Sequence, residues 1–306
     1  MPRRRIALFA LVLALVLVPA AGSQAYVTGI GDQSVSMFSS PYFTALHVKI
    51  ARLIVPYDVV NDPGNLARAK AWLDAAKAQN IEPLVAFYHS ELTPDRIPSR
   101  DEFREDARKF MQMFPDVKDY QPWNEANRGN VNSGQARFHS PTAQQSATFY
   151  DAMQSLCSDC KVVGLDVLDS QNIGATLRYI SQFKRAVKHV PQIWGLHNYT
   201  DTNRRSGATR KIAKVVSGQI WLTETGGIVK FGKSFPNKHH SGERRAAKAI
   251  SYMFKLARSN HQVTRLYIFQ WTGSTADVRF DAGLMNKGGS KPRAGYFVVR
   301  KHLTGH

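Results

Sequence analysis

Two short stretches of the chain carry side chains suited to acid–base chemistry. One reads Asp-Tyr-Gln-Pro-Trp-Asn-Glu-Ala-Asn from Asp119, the other Gln-Ile-Trp-Leu-Thr-Glu-Thr-Gly-Gly from Gln219. Each is a short apolar run that ends in a carboxylic acid, Glu125 or Glu224. In the first, Trp123, Asn124 and Glu125 stand side by side. An indole offers a flat apolar face, an amide both donates and accepts, and an acid gives or takes a proton. A ring with apolar C–H faces and hydroxyl edges would use all three. Two carboxyl groups about 5–5.5 Å apart can split a glycosidic bond by double displacement, one attacking while ionised and the other protonating the leaving oxygen; a wider spacing leaves room for water instead. Neighbouring carboxylates separate each other's pKa values, because each charge disfavours the second. Arg52, were it beside Glu224, would keep that acid ionised, and a less compensated Glu125 would then hold its proton longer. That chemistry needs no metal and no cofactor.

Glu125 and Glu224 are 99 residues apart, so a scaffold must bring them together. Past Tyr26, short runs rich in β-branched and aromatic residues alternate with longer stretches of helical spacing. Strands are predicted over 26–29, 51–55, 83–88, the stretch ending at Glu125, 161–167, 193–199, 219–223 and 265–271. Helices are predicted over 41–47, 65–79, 99–113, 141–156, 173–188, 208–216, 242–260 and 294–303. In 65–79 the apolar residues Leu66, Ala69, Trp72, Leu73 and Ala76 share one face. Ser99 followed by Glu102 reads as a capping box. Eight strands alternating with eight helical stretches predict a single-domain α/β fold, the (β/α)8 TIM barrel. An open doubly wound sheet would begin with a glycine-rich phosphate loop, and Gly29-Ile-Gly31 lacks the third glycine.

A barrel carries its site at the C-terminal ends of its strands. Those ends hold Asp32, Arg52 with Tyr57 and Asp58, His89, Glu125, Asp166, His197 with Tyr199, Glu224 and Trp271. With Asn124-Glu125 ending the fourth strand and Glu224 the seventh, the chain resembles the clan A glycoside hydrolases, retaining enzymes built on (β/α)8 barrels. The resemblance implies Glu125 as general acid/base, Glu224 as nucleophile, and Asn124 as the partner of a sugar 2-hydroxyl. Looser matches imply substrate-site roles for Arg52, His89, His197, Tyr199 and Trp271: Tyr199 orienting the nucleophile, Arg52 beside it, Trp271 as a sugar platform. The implied activity is hydrolysis of O-glycosidic, β-linked bonds in a polysaccharide or oligosaccharide through a glycosyl-enzyme. A transglycosylase would use the same intermediate with a sugar as acceptor. A non-catalytic binding barrel could lose an acid without losing the fold, and here both acids are present. Bland readings stand beside the looser matches: Trp271 as barrel packing, His197 as a loop hydrogen-bond partner, Arg52 as an ion-pair partner of Asp58 or Asp32. Asp166 is read as structural, Trp123 and Trp221 as packed in or behind the wall, and His239-His240 as a solvated loop.

The N-terminus reads as a leader. Met1 to Arg5 is basic, Ile6 to Val18 is an unbroken apolar run, and Ser23-Gln24-Ala25 is a small-x-small cleavage pattern. Thirteen apolar residues are short of the ~20 that cross a bilayer. Residues 1–25 are therefore expected to be a cleaved signal peptide, 26–306 the barrel, and the product secreted with no stable membrane insertion. Behind an export signal, Cys157 and Cys160 are read as a disulfide, and a loop so short adds little stability. The formal charge is +18, and removing Arg3, Arg4 and Arg5 with the leader leaves +15. That charge is spread over many segments with no nucleic-acid module, so nucleic acid is not the expected partner. Arg204-Arg205, Arg210-Lys211, Lys230, Lys233, Lys238 and Lys291-Pro-Arg293 follow strands six to eight. They predict a positive rim at the site, suited to an anionic or cell-envelope glycan. A monomer is expected.

Overall fold

The computed structural model describes residues 26–129, 140–237, 239, 241–275 and 277–305. The expected leader lies outside the described residues, as do Lys238 and His240 and the greater part of the loop that follows Glu125.

The barrel wall begins with β1 (Val27–Gly31), β2 (Ile50–Pro56), β3 (Glu82–Tyr88) and β4 (Asp119–Gln121). The fifth position is shared by β5 (Lys161–Val162) and β6 (Asp166–Leu168). Then come β7 (Ile193–His197) and β8 (Gln219–Thr225), a short β9 (Lys230–Phe231), β10 (Val263–Phe269) as the eighth wall strand, and β11 (Phe280–Asp281). The parallel sheet runs β5-β4-β3-β2-β1-β10-β8-β7-β6. It closes through the split strand. Val163 N–H donates to Tyr120 O at 2.8 Å on one side, while Gly164 N–H donates to Ile193 O at 2.9 Å on the other. The single predicted strand over 161–167 is thus two pieces. Gly164 is where they part, and a Cβ there would stand 2.0 Å from the Pro191 ring.

β2 and β3 are buried along most of their length, as expected of parallel strands covered outside by helices and filled inside by side chains. Ile50, Leu84, Val163, Trp221 and Tyr267 form an apolar cluster separate from the main core. They come from five positions around the ring and can meet only inside it, so they are the barrel's plug. The outer layer is α1 (Pro41–Thr44), α2 (Pro63–Ala78), α3 (Arg100–Met113), α4 (Ala143–Leu156), α5 (Ile173–Ala186), α6 (Tyr199–Arg204), α7 (Ala208–Ala213), α8 (Ser241–Arg258) and α9 (Ala294–Thr304). The predicted capping box of α3 is formed: Ser99 Oγ accepts from Glu102 N–H, and Glu102 Oε2 accepts from Ser99 N–H. Cys157 and Cys160 are joined as a disulfide.

Two strand ends differ from expectation. Tyr199 opens α6 rather than ending the sixth strand, and β10 stops at Phe269, before Trp271. β9 and β11, which no pattern in the sequence announced, pair antiparallel between the segments that follow the seventh and eighth wall strands. Among the described residues no helix is long and apolar enough to cross a membrane.

Candidate active site

At the fourth position the backbone itself is bent to aim the acid. Asn124 N–H donates to Phe87 O at 2.8 Å, so the chain holds to the edge of β3 past the end of β4. Glu125 then takes φ 47°, a left-handed conformation uncommon for a residue with a Cβ. Its N–H donates to Asp166 Oδ2 at 2.9 Å, and the next N–H, of Ala126, donates to Asp166 O at 2.9 Å. Glu224 needs no such turn, because it lies within β8. The hydroxyl of Thr223 beside it donates to Asp166 Oδ1. One buried carboxylate therefore ties together the two segments that carry the acids.

An oxygen of Glu125, an oxygen of Glu224 and a nitrogen of His197 all lie within 4.8 Å of one another. His197 Nδ1 is 3.1 Å from Glu125 Oε1 and 3.5 Å from Glu224 Oε2. Its Nε2 is 3.0 Å from Asp166 Oδ2, off hydrogen-bond angle but close enough for strong Coulomb attraction. Glu224 accepts from Arg52 Nη1 at 2.8 Å and from the Tyr199 hydroxyl at 3.3 Å. Arg52 spends its other donors on Asn124 Oδ1 (2.7 Å) and Gln121 Oε1 (3.2 Å). With its oxygen taken by Arg52, Asn124 is left with its NH2 to offer a ligand.

The expected contrast between the two acids does not hold, because each has an arginine of its own and both share His197. Burial alone would raise the Glu125 carboxyl, but the His197 hydrogen bond and the Arg128 guanidinium outweigh it and bring it down to about 2. Arg128 Nη1 stands 2.5 Å from Glu125 Oε2. Glu125 is therefore not the less compensated acid. Sequence reasoning counted Arg52 but missed the arginine three residues past Glu125, and it named His197 as a site residue without counting its charge on Glu125. Burial would lower His197, but the charges of Asp166 and Glu224 raise it to about 10, so it is an imidazolium at neutral pH. Burial and the Glu224 charge hold Tyr199 well above the ordinary phenol range, so it stays a donor. By type, Glu125, His197 and Glu224 could ligate a metal. Here Arg52 and Arg128 already stand on the two carboxylates.

A cavity of about 450 Å³ opens over the acids. Asn124, Glu125, Tyr199 and Glu224 line it together with Tyr88, Arg128 and Arg204, and an apolar wall is built by Ile54, Leu168, Ile228, Phe231, Phe235, Phe269 and Phe280. Arg52 and His197 are fully buried behind the acids, so they position groups rather than touch a ligand. Trp271 does not serve as a platform: it is 1% exposed and packs edge-on against Phe43 and Tyr296. Because β10 ends two residues earlier, Phe269 faces the cavity instead. His89 likewise packs edge-on against Trp123 and lies outside the lining, while its neighbour Tyr88 takes the exposed place. Of the predicted basic rim, Arg204 reaches the cavity, whereas Arg293 is turned inward in a bidentate pair with Asp281 (2.8 and 2.9 Å). Arg128, Tyr88 and the phenylalanine wall were missed. The one available signal was an arginine one helical turn past a candidate acid.

Comparison with known proteins bears on the fold and on the family. No curated protein matches the chain in sequence. Solved structures do match in fold. A family 39 glycoside hydrolase from the gut symbiont Bacteroides cellulosilyticus WH2 superposes with TM-score 0.61 at 14% identity, over 92% of this chain and 65% of its own. An endo-1,4-β-xylanase from Caldicellulosiruptor owensensis gives TM-score 0.65 at 12% identity, over 90% of this chain and 97% of its own. Fungal β-1,4-galactanases give 0.65 at 12% identity, over 90% and 99%. At such identities these likenesses speak for the (β/α)8 barrel. The family described as glycosyl hydrolase catalytic core matches residues 102–296, a span that holds both acids and well over half of the sequence. By that match the chain belongs to the glycosyl hydrolase catalytic core family and is a glycoside hydrolase.

Proposed function

We propose that the protein is an exported retaining glycosidase that hydrolyses β-linked glycans, with Glu224 as nucleophile and Glu125 as acid/base. The observation that carries this reading is the approach of the two carboxyl groups, with an oxygen of each within 4.8 Å of the other. That closeness supports double displacement, whose carboxyl groups stand about 5–5.5 Å apart, over the wider spacing of an inverting enzyme. In the first step Glu224, oriented by Arg52 and Tyr199, attacks the anomeric carbon, and a proton on Glu125 passes to the departing oxygen. In the second step Glu125 takes a proton from water, which attacks the glycosyl-enzyme and releases Glu224. The Asn124 NH2, held by Arg52, is placed to bond a 2-hydroxyl. The xylanase and galactanase names of the structural relatives favour a β-linked polysaccharide. Arg128 and Arg204 in the cavity wall favour one that bears negative charge, and the N-terminal leader pattern favours export.

The test is a glycan panel run on the mature enzyme, Glu224→Ala and Glu125→Ala. Glu224→Ala should abolish hydrolysis, and azide should restore turnover as a glycosyl azide of inverted configuration. Glu125→Ala should lose ~10²–10⁴-fold on substrates whose leaving group needs a proton, and much less on activated aryl glycosides. Full activity in Glu224→Ala would sink the assignment.

A further inference from the structure

Past the expected leader, the surplus of positive charge is confined to the last third of the chain. Residues 26–200 hold 18 basic and 18 acidic side chains, whereas residues 201–306 hold 20 basic and 5 acidic, the whole of the +15. An asymmetry of this kind points to an anionic partner. The two parts also differ at the surface. In the first, exposed cations meet carboxylates: Lys70 with Asp74, Lys77 with Asp116, Arg96 with Glu102, Lys118 with Asp159. In the second, Asp201, Glu224 and Asp281 are buried and Glu243 is half-buried, so among the described residues Asp277 is the one exposed acid.

The surplus is also ordered in space. On α8, Arg244, Lys248, Lys255 and Arg258 are all exposed, at steps of four, seven and three residues that keep them on one stripe of the helix. At ~1.5 Å per residue the row is about 21 Å long. α8 packs on α6, and along that seam cations and rings interleave. Arg205 stands 5.0 Å over the Tyr252 ring, while Phe235 has Arg204 at 4.8 Å and Arg245 at 5.2 Å. Arg204 and Phe235 also line the cavity over the acids. The basic surface thus begins inside the cavity and runs over the end of α6 to the outer face of α8.

We propose that the outer face of α8, with the end of α6, is an exosite: it holds the part of an acidic polysaccharide that lies beyond the cavity, through the carboxylates on its sugars. The inference rests on the reading of the cavity as a glycan site and adds where the rest of the chain lies. Continuity with the cavity favours the substrate's own chain over a nucleic acid. So does the spacing of the row, whose cations rise by about 4.5–10.5 Å from one to the next, whereas duplex DNA carries one charge per ~1.7 Å of its axis.

The experiment measures binding to the full chain carrying Glu224→Ala, which bars turnover. The probes are polymannuronate, a linear β-linked polyuronate, its carboxyl-reduced counterpart, and a DNA duplex. One variant adds Arg244→Gln, Lys248→Gln, Lys255→Gln and Arg258→Gln. A control adds Lys70→Gln, Lys77→Gln, Arg100→Gln and Lys118→Gln, the same loss of charge from exposed positions in the balanced part of the chain. Thermal melts check that each variant is folded. Polymannuronate should bind the Glu224→Ala protein with an affinity that falls as salt rises. The α8 variant should bind it about 10-fold or more weakly and with a flatter salt dependence, because fewer counterions are released, while the control should change little. Equal loss in both variants would mean that net charge alone matters and would overturn the exosite. Binding of the carboxyl-reduced chain as tight as that of polymannuronate would overturn the role of the carboxylates. A duplex held more tightly than polymannuronate, and lost in the α8 variant, would overturn the assignment to a polysaccharide. Inactivity of the wild type on every glycan would sink the glycosidase reading and leave the binding on α8 standing, whereas undiminished binding by the α8 variant would remove the exosite whatever the activity.

Discussion

Glu125, His197 and Glu224 form a chain of alternating charge, and its pH behaviour follows from the direction of each shift. Glu125 is held at about 2 against an ordinary 4.5, so its contribution to stability is complete above about pH 4.5 and is lost as pH falls towards 2. His197 is held at about 10 against an ordinary 6.5, so its contribution is complete below about pH 6.5 and is lost as pH rises towards 10. Urea unfolding across pH should therefore show a plateau between about 4.5 and 6.5 with a decline on either side. His197→Asn should flatten the alkaline decline and leave much of the acid one. An alkaline limb of the same size in His197→Asn would show that the imidazolium is not its source. The left-handed Glu125 belongs to the same scale. A side chain at φ 47° costs of order 1–3 kcal/mol, offset here by the two N–H bonds that Asp166 receives from the turn.

Among the elements, the segment behind Glu224 is held hard against a helix. Gly227 lies against α8 so closely that a Cβ would stand 2.1 Å from Ala246 O, a backbone atom that cannot step aside. Gly227→Ala should lower stability by ~1–3 kcal/mol through overpacking. Since β8 carries Glu224 three residues earlier, kcat should fall with it. Ser99→Ala makes the comparison. It removes a helix cap far from the acids, should cost ~1 kcal/mol, and should leave kcat unchanged. Thermal melts and kinetics on both variants check the contrast: a Gly227→Ala enzyme with lower Tm but full kcat would mean that the α8 contact does not place the nucleophile. The β9–β11 ribbon acts at this scale too. It brings Phe231 and Phe280 together edge-on, and with Phe235 and Phe269 they turn one side of the cavity apolar.

Across the whole molecule the barrel has a polar mouth, an apolar plug and a charged floor. Beneath the plug, Arg265 joins Asp119 (2.5 Å) and Glu82 (2.9 Å), with its guanidinium 4.1 Å over the Trp221 ring. Burial and the neighbouring Glu82 raise Asp119 to about 7 even with Arg265 in place. Arg265→Met should then leave a buried carboxylate without its main cation, costing about 3–5 kcal/mol. Protonation relieves that charge, so the loss should be larger at pH 8 than at pH 5. Urea midpoints at the two pH values test this, and an equal loss at both would mean that Asp119 is neutral throughout. The floor spans β3, β4 and β10, so the same network fastens strands that are remote in sequence.

The (β/α)8 alternation, the α3 cap and the two acid-bearing strand ends were legible in the chain because each depends on local chemistry: period, capping residues, and a carboxylate at the close of an apolar run. The nearness of Arg52 to Glu224 was implied by the clan A resemblance rather than by a strand end: Arg52 lies inside β2, and its long side chain reaches the acid. What the tertiary structure decided was the partnership of charges and the facing of rings. Arg128 meets Glu125 across a left-handed turn, and that turn is held by Asp166 from the next strand, a residue the sequence offered as merely structural. Trp271 and His89 were expected to face the site because they sit near strand ends. β10 stops two residues short of its expected end, so Phe269 faces the cavity; β3 ends at Tyr88 as expected, and there the last strand residue faces the cavity while His89 packs against Trp123. Periodicity specifies that a strand exists to within a residue or two. Which side chain faces the ligand turns on that last residue, and it is settled by packing with strands distant along the chain.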